Sequence, residues 1–247
     1  MNGPSNQATV FFTALVCLSA LGLGCVVGTE NVFASEVDDA ASDIQAGRYP
    51  EALTKLRPAV TSGDPRAIYN LGIMYRDGLG VDKDRGKAKT LFLAAAAKGH
   101  ALAQYGIARL SYDDGDFAEA ARWYQKAGDQ GDLDALYNLG YMYHEGQGVR
   151  KDYSKANQLF LEVADRGRFV EDGRRSYKAM DMLGNSYRSG ETGQPDYVEA
   201  YKWYAMAAAR GHPKALAQMQ EVEKLLTDAQ LAEARKRVTE FANRPHP

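Results

Sequence analysis

The stretch with the most evident chemical potential is Gly80-Val-Asp-Lys-Asp-Arg-Gly86-Lys87, whose two glycines and lysine have the outline of a phosphate loop. A working loop of that kind reads Gly-x-x-x-x-Gly-Lys-Ser/Thr, with backbone N–H groups around the phosphate and the hydroxyl on Mg²⁺. Here one residue too many separates the glycines, Ala88 follows the lysine, and Asp82 and Asp84 would face any phosphate. The stretch reads instead as a connection between helices. The chain has no Ser-x-x-Lys, His-Glu-x-x-His, Gly-x-Ser-x-Gly or dinucleotide glycine fingerprint. Its histidines, His100, His144, His212 and His246, are scattered, with no two at the helical spacing that a zinc site uses. Trp123 and Trp203 take the same place in two copies of a repeat and are expected to pack between helices. No catalytic residue, metal or cofactor is expected.

What positions the remaining polar and aromatic residues is a repeat, and repeats take precedence over any local reading. Ala67-Ile-Tyr-Asn-Leu-Gly-Ile-Met-Tyr-Arg-Asp-Gly-Leu-Gly-Val returns at Ala135 as Ala-Leu-Tyr-Asn-Leu-Gly-Tyr-Met-Tyr-His-Glu-Gly-Gln-Gly-Val. A degenerate copy begins at Ala179 and a shortened one at Ala103. An alanine is followed eleven positions later by glycine at Ala52/Gly63, Ala88/Gly99, Ala120/Gly131, Ala156/Gly167 and Ala200/Gly211. Each copy predicts two helices, one carrying Ala67, Leu71 and Tyr75 on a face, the other Ala88, Leu91, Phe92 and Ala95. Gly72, Gly140 and Gly184 fall inside the first helix, where glycine costs about 1 kcal/mol relative to alanine. Close approach of the partner helix would offset that cost. Gly99, Gly131, Gly167 and Gly211 sit where helix C-caps need left-handed backbone.

These residues resemble the Sel-one-like repeat (SLR) family, a branch of the tetratricopeptide repeat (TPR) class, over nearly everything from about residue 40 to 220. Residues 67–99 and 135–167 follow the family pattern closely. Residues 179–211 replace its Gly-x-Gly-Val with Gly190-Glu-Thr-Gly-Gln, and the copy from Ala103 lacks the loop extension. The resemblance implies an all-α, right-handed α/α superhelical solenoid whose first helices line a concave groove. On that alignment three rows face the groove. The first is Tyr69, Tyr105, Tyr137 and Asp181; the second is Ile73, Arg109, Tyr141 and Asn185; the third is Arg76, Tyr112, His144 and Arg188. The expected partner-binding residues are Tyr69, Arg76, Tyr105, Arg109, Tyr137, Tyr141, His144 and Arg188, a tyrosine ladder edged by basic groups. Tyrosine has a rigid apolar body and a polar tip, which suits an interface. The alternative is that some of these tyrosines fill gaps between repeats.

Four segments are expected: a signal peptide at 1–34, an N-terminal half-repeat at 35–63, the repeat array at 64–213, and C-terminal capping helices with a tail at 214–247. The first 29 residues carry no Asp, Glu, Lys or Arg, and Val32-Phe33-Ala34 precedes Ser35 as a small-residue cleavage site would. The protein is therefore expected in the periplasm or secreted; an uncleaved N-terminal membrane anchor is the alternative. Cys17 and Cys25 both lie in this leader, so the mature chain would form no disulfide. Asp64-Pro65 and His212-Pro213 are expected to open helices, and Thr227-Asp-Ala-Gln230 is a capping box. Residues 168–178 lengthen one inter-repeat spacing, either extending the next helix or forming a contact element. A net charge of −2 leaves no footprint for nucleic acid.

The resemblance implies a non-enzymatic protein-binding scaffold or regulator in the bacterial envelope, with envelope or membrane proteins as partners. The alternatives are an anionic-glycan-binding component of exopolysaccharide handling, or a β-lactam-binding relative. The last lacks support, since the mature chain has neither cysteines nor an acylating serine motif.

Overall fold

The computed structural model describes residues 29–167 and 174–245. Residues 1–28, which hold Cys17, Cys25 and most of the segment expected to be a signal peptide, lie outside them, as do residues 168–173, His246 and Pro247. Twelve helices and no strands occur among the described residues. In chain order they pair as α1 (Thr29–Gln45) with α2 (Tyr49–Ser62), α3 (Pro65–Asp77) with α4 (Arg85–Ala96), and α5 (Ala101–Asp113) with α6 (Phe117–Asp129). The series continues with α7 (Leu133–Glu145) and α8 (Tyr153–Arg166), and α9 (Arg174–Ser189) and α10 (Tyr197–Ala209); α11 (Ala215–Glu223) and α12 (Asp228–Ala242) then both lie against α10. From α1 to α11 each helix packs mainly on the one before and the one after it, and α12 folds back onto α10, which makes an α/α solenoid with a core that runs along its axis. The stretch read from the sequence as a half-repeat folds as a whole helical pair, because α1 supplies the partner for α2.

Aspartates start half of these helices. Asp64, Asp84, Asp116, Asp132, Asp152 and Asp196 each accept a backbone N–H of the first turn at 2.8–3.0 Å. Each such cap contributes about 1 kcal/mol. Thr227 and Gln230 complete the expected capping box on α12. His212-Pro213 departs from expectation: α11 begins at Ala215 with Lys214 as its uncapped N-cap. The His212 ring lies against Tyr177, 5.3 Å away, and α11 starts too late in the chain for His212 to be its N-cap.

The glycines inside first helices are explained by rings on second helices. A Cβ on Gly72 would lie 2.6 Å from Phe92, one on Gly140 2.8 Å from Phe160, and one on Gly184 2.6 Å from Tyr204. All three rings are fully buried. Phe92 is held on both sides, since a Cβ on Gly106 of the next repeat would meet it at 3.1 Å. Of the four expected left-handed C-caps, Gly99, Gly131 and Gly211 have φ of 83°, 96° and 82°. Gly167 does not: its φ is −72°. A Cβ there would strike the Ser176 Cβ at 2.8 Å, so it is the approach of α9 that excludes a side chain.

Candidate protein-binding face

The first helices α3, α5, α7 and α9 share one face of the solenoid. The first-row tyrosines lie half-buried on it, each leaning on the aromatic ring that its own repeat places on the second helix. Ring centroids are 5.6 Å apart for Tyr69 and Phe92, and 5.7 Å for both Tyr105 with Tyr124 and Tyr137 with Phe160. Tyr69 also stacks on His100 at 4.9 Å. Burial pushes the Tyr69, Tyr105 and Tyr137 phenols above 10. They therefore remain neutral hydrogen-bond donors at physiological pH. The last member of the row, Asp181, accepts from Asn185 at 3.1 Å, and Asn185 accepts from the phenol of Tyr204 at 2.8 Å. The tyrosine ladder thus ends in a polar cluster rather than a fourth ring.

The third row is largely spent on the protein itself. Tyr112 of α5 donates to Gln147, beyond α7, at 2.9 Å. His144 of α7 contacts Glu145 at 2.8 Å and Glu191, beyond α9, at 3.1 Å. Arg188 of α9 reaches Glu221 of α11 at 3.3 Å. Each of these three bonds links a first helix to the following repeat. Arg76 pairs with its neighbour Asp77 at 2.6 Å. The basic edge expected from the sequence is thus mostly neutralised.

The second row is different. Arg109 and Tyr141 are exposed, and Arg109 has no carboxylate within ion-pairing distance among the described residues. Together with Tyr105, Tyr112, Asp113, Tyr124, Asn138 and Arg175 they line a cavity of about 340 Å³ between α5, α7 and α9. Of the residues expected to bind a partner, Tyr105, Arg109 and Tyr141 line this cavity. Tyr137 adjoins it through Arg175, whose guanidinium lies 5.3 Å from its ring centre. Tyr69, Arg76, His144 and Arg188 are not among its lining residues. Tyr124, Asn138 and Arg175 were missed. Tyr124 belongs to a second helix, and its ring passes between first helices to reach the face. Arg175 lies in the lengthened spacing: α9 starts five residues before Ala179, whereas α7 starts two before Ala135. The added turn carries Arg175 to Asp134 of α7, with which it forms an ion pair.

Among the described residues no group of three His, Cys, Asp or Glu side chains is placed to hold a metal. No described helix is long and apolar enough to cross a membrane.

The Sel1 repeat family matches the chain at residues 65–100, 101–132, 133–167 and 178–212. An uncharacterised protein of Neisseria meningitidis (NMB1327) is 29% identical over 71% of this chain and 34% of its own length. An exopolysaccharide production negative regulator of Rhizobium leguminosarum is also 29% identical, over 69% of this chain and 54% of the regulator. The chain thus spans about a third to about half the length of these sequence relatives. A crystal structure of a Sel1 repeat protein from Oxalobacter formigenes superimposes with a TM-score of 0.68 at 27% identity, covering 84% of this chain and 86% of that one. Four matched units over most of the solenoid place the chain in the Sel1 repeat family of helical repeat scaffolds.

Proposed function

We propose that the chain is a non-enzymatic scaffold of the bacterial envelope that binds a partner protein on the face formed by α3, α5, α7 and α9. The observation that carries this reading is the tyrosine-lined cavity with Arg109 at its edge. Tyrosine and arginine are, with tryptophan, the residues enriched where interfaces concentrate their energy. Export through the 1–34 leader, or anchorage by it, would set the protein among envelope and membrane proteins.

A glycan reading has one observation in its favour, the similarity to an exopolysaccharide production regulator. A polyanion needs a run of cations, however, and Arg76, His144, Arg175 and Arg188 are matched by carboxylates of this chain. A protein partner suits the face better.

The test is capture from the native envelope fraction with tagged wild-type chain and with a Tyr141→Ala/Arg109→Gln variant. Both positions are exposed, so the variant should keep the wild-type helical content, whereas Tyr69, Tyr105 and Tyr137 are part of the packing. A partner recovered by the wild type and lost with the variant is the expected result. Equal recovery by both would remove this face from the proposal, and N-terminal sequencing of the exported protein would test processing at Ala34.

A further inference from the structure

We infer that the cavity between α5, α7 and α9 is a carboxylate pocket, which seats one aspartate or glutamate side chain of a linear peptide segment in the partner. The inference rests on the protein-binding role proposed for the same face and names what that face recognises.

Arg109 supplies the charge. It is exposed, lies on the cavity lining and has no carboxylate of its own among the described residues. Of the acidic groups around it, Asp77 pairs with Arg76 and Asp134 with Arg175; Asp113, on the same lining, lies 3.6 Å from Arg85, whose closer contacts are Asp114 and the Leu110 carbonyl. A planar guanidinium with a fork of donors matches a carboxylate by two parallel hydrogen bonds. Tyr105, Tyr112 and Tyr124 form the inner wall of the cavity, and a segment packed against them would cover Arg109 and strengthen the pair relative to one on an open surface.

The number of free cations decides the class of occupant. One unmatched arginine fits a single carboxylate, whereas an anionic polysaccharide repeats its charge along the groove. Asn138 is turned to the phenols of Tyr105 and Tyr124, so it orients the wall of the pocket. The volume of about 340 Å³ is at the small end of ligand sites. It holds one side chain and its flanking backbone.

The experiment immobilises the full chain and selects from a display library of random linear peptides, with a polyuronate oligosaccharide as the glycan probe. The expected peptides share one acidic position. Replacing that residue by its amide weakens binding about ten- to hundred-fold, the scale of a charge-assisted hydrogen bond. Arg109→Gln weakens binding equally, and the variant no longer distinguishes the acid from its amide. Helical content and melting stay unchanged. Peptides that are lost with Tyr141→Ala but indifferent to Arg109 and to the acid would overturn the pocket and leave the protein-binding face standing. No enriched peptide, peptides indifferent to both substitutions, or Arg109-dependent binding of the oligosaccharide alone would overturn pocket and face together.

Discussion

Gly140→Ala should destabilise the repeat formed by α7 and α8, although the same change in an open helix would stabilise it. The added Cβ would lie 2.8, 3.1 and 3.3 Å from three carbons of the Phe160 ring. That ring is fully buried, with Tyr137 packed against it at 5.7 Å, so it has little room to retreat. Overpacking of this kind costs about 1–3 kcal/mol, and the gain in helix propensity returns about 1 kcal/mol. The net loss should be about 1 kcal/mol, or roughly five- to ten-fold faster amide exchange in α7 and α8. Gly86→Ala is the control. Its Cβ would meet only Asp84 at 3.4 Å, so about 0.5–1 kcal/mol of stabilisation is expected there. Native-state hydrogen exchange is the right assay, because a repeat array need not melt as one unit. Pairing Gly140→Ala with Phe160→Leu should recover part of the loss, a coupling that distant sites do not show. If Gly140→Ala slows exchange as Gly86→Ala does, the ring moves freely and the glycine is not a packing requirement.

Two acid-side predictions occupy separate pH windows. His100 caps α5 by accepting from the Ala103 N–H through Nδ1 at 3.2 Å, which needs that nitrogen unprotonated. Burial lowers its pKa below 6.5, so the unfolded chain takes up the proton first as pH falls. Stability is full above pH 6.5 and is lost down to the folded pKa. His100→Asn, which can cap but not titrate, should flatten the dependence of α5 exchange between pH 7 and 5; equal slopes would refute the cap. Asp43 is buried and bonded by Lys55 at 2.6 Å and Arg48 at 2.6 Å. Those two partners hold its carboxyl below 3.8. Its contribution is therefore present above pH 3.8 and lost as pH drops through the folded value. Acid melts monitored in α1 and α2 should show this loss, and Asp43→Asn should weaken that pair at neutral pH while removing the step.

The helical pairs were legible because their determinants are local. Alanines eleven positions before glycines, aspartate caps and the Thr227 box all act within one repeat. The intramolecular partners of the third row were not legible, for the opposite reason. His144 meets Glu191 47 residues away, Tyr112 meets Gln147 35 away, and Arg188 meets Glu221 33 away. Those pairings depend on how far each repeat is rotated on the last, which no spacing within one copy specifies. Arg175 left a trace in the lengthened interval after Gly167, yet its meeting with Asp134 depends on that same rotation. Gly167 misled because glycine answers two needs, left-handed backbone and room for a neighbour, and the letter does not say which.

The three rows divide the work of the face between holding and binding. Third-row bonds from α5, α7 and α9 each tie a first helix to the following repeat, so they join the packed core in holding neighbouring repeats in register. First-row tyrosines are pinned by rings from second helices, and the glycines opposite two of those rings keep the helices close enough to pin them. A change in either row alters the shape of the groove along with its contacts. The second row, at Arg109 and Tyr141, can change without disturbing the scaffold. Partner choice within this architecture is therefore expected to be set there, by the two middle repeats.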